Sequence, residues 1–106
     1  MSDLDALIRD YRVAFLRYLP QHGESALTAG YQIGRAAVEN GVSLLHLAQV
    51  HHAVLSEVLT SSAPEEARGI ATAASEFFLE VLAPFDMAQR SLLGDPDDPD
   101  AATPRA

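Results

Sequence analysis

Glu76-Phe77-Phe78-Leu79-Glu80-Val81-Leu82-Ala83-Pro84-Phe85-Asp86-Met87 is the most informative segment of the chain. It reads as a strongly apolar helix with a proline inside it. Pro84 offers no N–H to the Glu80 carbonyl and its ring crowds that turn, at a cost of ~3 kcal/mol. A helix that continues past it, through Ala88, Gln89, Arg90, Ser91, Leu92 and Leu93, is expected to kink at Pro84. At about 100° per residue, Val81, Leu82 and Phe85 fall beside Phe78 as a core-facing stripe. Leu79, Ala83 and Met87 fall on the far side, among Glu76, Glu80, Asp86 and Arg90. That apolar surplus needs a second surface to cover it.

Three more helical segments precede this one. The first, 3–19, carries Leu4, Leu7, Ile8, Tyr11, Phe15 and Tyr18 at helical spacing, with Asp5, Arg9 and Arg12 on the wet side. Ser2 with Asp5 resembles a capping box, and Pro20 is expected to stop the helix. The second, 24–40, is rich in small residues: Ala26, Ala29, Gly30, Gly34, Ala36 and Ala37. Glycine inside a helix costs ~1 kcal/mol relative to alanine. Two of them four apart suggest that a neighbouring backbone comes close, and Asn40-Gly41 supplies the C-terminal cap.

The third segment, 43–60, starts at the cap candidate Ser43, and Leu44, Leu47, His51, Val54, Leu55 and Val58 form its stripe. The fourth, 63–93, opens with Ser62-Ala63-Pro64-Glu65, a helix-start signal, and ends at Gly94. No segment alternates with the period of two that a half-buried strand requires. The expectation is an all-α four-helix bundle over residues 1–93 with antiparallel neighbours. Residues 94–106 hold three of the six prolines, four aspartates and no large apolar side chain. They are expected to be a disordered acidic, proline-rich tail.

Composition narrows the function. With 106 residues and 48% apolar side chains the chain makes one domain. It has no cysteine, which excludes disulfides and thiolate metal sites. A net charge of -8 argues against nucleic acid, which selects basic patches. No apolar run approaches the ~20 residues needed to span a bilayer. The start, Met1-Ser2-Asp3-Leu4-Asp5, is acidic where a signal peptide is basic. A cytoplasmic protein that does not act on membranes is expected.

Chemistry is sparse. His46, His51 and His52 share the third segment, but two histidine ligands on one helical face need a spacing of four. His51 lies on the apolar stripe, where a core histidine hydrogen-bonded to a neighbour is the plain reading. The sharper alternative is a phosphoacceptor His51 or His52 on a phosphorelay or small-ligand-sensing bundle. There is no G-x-S-x-G, no P-loop and no cysteine nucleophile. Glu65-Glu66 at a helix start complement the dipole. The sequence implies no enzyme, no cofactor and no metal.

Leu27, Tyr31, Gly34, Arg35, Gly41, Ser43-Leu44-Leu45, His51-His52, Leu55, Phe77-Phe78-x-Glu80 and Ala83-Pro84-Phe85-Asp86-Met87 occur here in that order. Over residues 14–90 this pattern resembles the N-terminal domain of the RsbU-type stress-response phosphatases, in its actinobacterial form. The resemblance implies a homodimeric four-helix domain of the KaiA/RsbU type that regulates and does not catalyse. It also implies a partner: a switch serine kinase of the RsbT type (GHKL class), whose binding activates a PP2C-type phosphatase and leads to release of a sigma factor. No coiled-coil linker or phosphatase domain follows Leu93 in these residues, so either a free-standing module or a fragment is expected.

The surplus faces give the candidate sites. Leu79, Ala83 and Met87, rimmed by Glu76 and Glu80, form an expected partner-binding surface with Pro84 as its hinge. The same three residues would equally suit a dimer interface. Ala29, Gly30, Ile33 and Gly34 are the expected dimer or packing face.

Overall fold

The computed structural model describes the backbone of residues 3–93 and the side chains of residues 5–91. The tail assigned to 94–106 lies outside the described residues. Four helices run α1 Asp3–Gln21, α2 Glu24–Glu39, α3 Leu44–Thr60 and α4 Ala67–Leu93, with a single 3-10 turn, Pro64–Glu66, before α4. No strand occurs among the described residues.

Local signals set most of the boundaries. The Ser43 hydroxyl accepts the His46 amide at 3.0 Å and starts α3. At the end of α2, Gly41 takes φ 70°, and the Gly41 and Val42 amides donate to the Val38 and Ala37 carbonyls at 3.2 and 2.9 Å. This paired bond pattern satisfies carbonyls that the helix end would otherwise leave bare.

Two boundaries differ from the sequence reading. Pro20 does not stop α1, which runs on to Gln21. A proline in the last turn forfeits one bond, and the next amide restores the ladder: His22 N–H donates to the Tyr18 carbonyl at 2.8 Å. His22, at φ 51°, then turns the chain. Before α4, the cap position is Ala63, not Ser62. The Ala63 amide donates to the Glu66 carboxylate at 3.0 Å, while the Ser62 hydroxyl donates to the Val58 carbonyl at 2.7 Å and closes α3.

The core is built around Phe77. Its ring lies 5.2, 5.7 and 5.9 Å from those of Tyr11, Phe15 and Tyr18, all from α1. Leu47, Val50, Val54 and Val58 close it from α3, and Ile70, Ala73, Ala74 and Val81 from α4. Each fully buried side chain of this size contributes ~1.5–3 kcal/mol. This corrects the phase of the fourth helix. Phe78, Leu82 and Phe85 flank the core half-buried, and Phe77 with Val81 occupies its centre.

The reason lies on α2. Gly30 sits under the Phe77 ring, and Gly34 sits against the Val81 carbonyl, so closely that a methyl group there would overlap the carbonyl oxygen. Only glycine lets two helix backbones approach like this. The approach fixes which face of α4 turns inward. α1 touches all three other helices, and α3 packs against α1 and α4. The α1–α3 seam carries an exposed ion pair, Arg12 Nε to Glu57 Oε2 at 2.8 Å. Such a pair is worth ~0.2–1 kcal/mol.

Candidate interaction surface

Because Phe77 and Val81 turn inward, the side of α4 roughly opposite them turns out. Leu79 is 67% and Met87 56% exposed, with Ala83 between them half-buried. Beside this edge a shallow groove follows the α2–α4 seam. Its first half is lined by Glu24, Leu27, Thr28, Tyr31 and Glu80, and its second by Tyr31, Arg35, Val38, Glu39, Pro84 and Met87.

Tyr31 joins the two halves, and its hydroxyl donates to the Met87 sulfur at 3.7 Å. Glu24, Glu39 and Glu80 make the groove acidic, with Arg35 partly offset by Glu39 at 3.7 Å. The buried Pro84 lies beside this groove, and α4 continues past it to Leu93.

Glu76 belongs to a different seam. It accepts the Tyr18 hydroxyl at 2.9 Å and lies 3.7 Å from His22 Nδ1, so it faces α1. Burial and this carboxylate together push the Tyr18 hydroxyl pKa up, keeping it a donor. The acidic rim expected from sequence is therefore divided, with Glu80 on the α2 side and Glu76 on the α1 side.

The expected dimer face is divided too. Gly30 and Gly34 are covered by α4 of the same chain and have no surface to offer a second copy. Ala29 and Ile33 are half-buried against the core, and Ile33 also lines a groove with Leu7, Asp10, Ala36 and Val42. Tyr31 and Leu27 were absent from the expected site. Their spacing of four reads as a core stripe, but both are only half-buried, Leu27 at the core's edge, and the glycines between and beyond them make the closest contacts with α4.

The histidines do not converge. His46 and His52 are exposed, His52 being 3.5 Å from the Ser56 hydroxyl. His51 Nδ1 lies 2.8 Å from the Tyr11 hydroxyl, and its ring stacks on Phe78 at 4.1 Å. Burial raises the Tyr11 pKa, so its hydroxyl stays protonated, and it donates to the neutral His51 ring in the tautomer that leaves Nδ1 bare. This is a structural histidine tying α1, α3 and α4 together.

Burial, with His52 beside it, holds the His51 imidazole below its usual pKa range. The unfolded chain therefore takes up this proton first. His51 costs no stability at high pH, and a loss sets in as pH falls below ~6.5, complete once the folded-state imidazole has protonated. Thermal unfolding on both sides of that window should show a smaller acid loss in His51→Gln, which keeps an acceptor for Tyr11, than in wild type. Equal losses would contradict this role.

The family model for the N-terminal domain of phosphoserine phosphatase RsbU matches residues 9–88. The chain belongs to this family. The match runs from the second turn of α1 to one residue past Met87, so it takes in the whole groove. No curated protein and no solved structure matches the chain. As an RsbU N-terminal domain it has a regulatory role in a partner-switching phosphatase pathway. No helix among its described residues is long and apolar enough to cross a membrane.

Proposed function

We propose that this RsbU N-terminal domain is a dimeric, non-catalytic, cytoplasmic docking module. It receives a switch serine kinase of the RsbT type along the α2–α4 groove and thereby regulates a PP2C-type phosphatase. The observation that carries the reading is the exposed pair Leu79 and Met87 on a helix whose opposite side, at Phe77 and Val81, is fully buried. Covering that edge contributes ~25 cal/mol per Å² of apolar surface removed from water, before association costs.

The glutamates beside it select a partner with a basic surface and make association salt-sensitive. Pro84 acts as the hinge. The Glu80 carbonyl lacks its usual donor there, so the helix beyond can take more than one bend, and a partner that prefers one bend shifts it.

Leu79→Asp is the test. The side chain is exposed, so circular dichroism and sedimentation should match wild type, while affinity for the cognate switch kinase falls at least ~tenfold, as for an interface anchor. The remaining affinity should weaken further with salt. An unchanged affinity in a folded Leu79→Asp protein would place the partner elsewhere.

A further inference from the structure

The seams between the helices differ in charge. The α2–α4 seam carries Glu24, Glu39 and Glu80, and the α1–α4 seam carries Glu76. The α1–α3 seam holds the Arg12–Glu57 pair, and the α1–α2 groove holds Asp10. The outer face of α1 presents Arg9 and Arg17 beside exposed Val13 and Leu16.

The α3–α4 seam is different. At its centre the His51 ring lies flat on Phe78, with an interplanar angle of 8°. Antiparallel register from that pair brings Leu44 and Ala48 level with Phe85 and Leu82, while Leu55 extends the strip in the other direction. Phe78, Leu82, Phe85 and Leu55 are only half-covered by their own chain, and Leu44 is 51% exposed. Among the described residues, no carboxylate or guanidinium lies along this strip. Asp86, held by Arg90 at 3.0 Å, stands at its margin.

We propose that the uncharged α3–α4 face is the surface on which a second copy of this chain docks, related by a two-fold axis. The proposal rests on the dimer reading above and names its surface. Charge decides the occupant. A two-fold contact sets a patch against its own copy, so a patch with three glutamates and one arginine faces the same net negative charge. In a chain of net charge -8, a dry contact through the α2–α4 seam would bring like charges together with little water to screen them. The α3–α4 strip avoids this repulsion and offers apolar area to both copies. A basic partner finds no counter-charge along the strip and finds three glutamates on the α2–α4 seam. One domain can thus pair with itself through α3–α4 and keep the acidic groove open for another protein.

Sedimentation equilibrium of the full chain over a concentration series tests this with Leu44→Asp. Leu44 begins α3, where a carboxylate suits the helix dipole, so the fold should survive. The wild type should be dimeric, and Leu44→Asp should raise the dimer dissociation constant at least ~tenfold. Leu79→Asp should leave it unchanged. If circular dichroism shows Leu44→Asp to be unfolded, Leu45→Asp at the same end of the seam serves in its place.

A dimeric Leu44→Asp protein, or a dimer dissociated instead by Leu79→Asp or Ile33→Asp, overturns the assignment while leaving the dimer standing. A wild type monomeric throughout the series overturns both the dimer and this face. Kinase binding by the α2–α4 groove is read separately, in the titration of Leu79→Asp.

Discussion

Phe77→Ala is expected to cost ~3–5 kcal/mol of folding stability, measured by chemical denaturation. Phe77 is fully buried, and the three aromatic rings of α1 close on it from one side. Removing it leaves a cavity that Tyr11, Phe15 and Tyr18 cannot fill, because each is held in its own contacts. Phe78→Ala should cost much less, since Phe78 is half-buried at the edge of the core, where its ring stacks on His51. Equal losses at the two positions would mean that the phase assigned to α4 is wrong.

Gly34→Ala is the second large effect. The added methyl meets the Val81 carbonyl, a backbone group that cannot swing aside, so α2 and α4 must separate along their contact. Overpacking of this kind costs ~1–3 kcal/mol, and more where backbone is the obstacle. Gly30→Ala should be milder, because its methyl would meet the Phe77 ring edge at 2.9 Å, a side chain able to shift slightly. Gly69, with open space around it, is the control. Gly69→Ala should be stabilising by ~0.5–1 kcal/mol through helix propensity. A Gly34→Ala protein as stable as wild type would contradict the backbone contact on which the geometry of the groove depends.

These two positions show what the sequence could tell. Features set by residues close in the chain were legible, such as the Ser43 cap, the Asn40-Gly41 turn and the presence of four helices without a strand. A cap is decided by a hydroxyl and an amide three residues apart, and neither waits for the rest of the fold. The phase of α4 was not legible. Phe77 and Phe78 are equally apolar and differ by one step of the helix, and the choice between them is made by Gly30 and Gly34 some fifty residues earlier.

The candidate site divides in the same way. Leu79 and Met87 could be read as apolar residues that the core does not take. Tyr31 could not, because its half-exposure follows from the glycines that bring α4 close beside it. The cap at Ala63 was missed because it uses the backbone amide of a residue with no polar side chain.

Hydroxyl-radical footprinting of the wild-type chain, with and without the cognate switch kinase, tests whether the kinase docks along the α2–α4 groove. It reads side chains, and Tyr31, Leu79 and Met87 are all reactive types that line or border the proposed groove. Their oxidation should slow on kinase binding, while Phe78 and Phe85 on the α3–α4 seam keep the rates they show in the kinase-free protein. Protection confined to the α3–α4 seam, or no change at Tyr31, Leu79 and Met87 under saturating kinase, would mean that the kinase docks elsewhere.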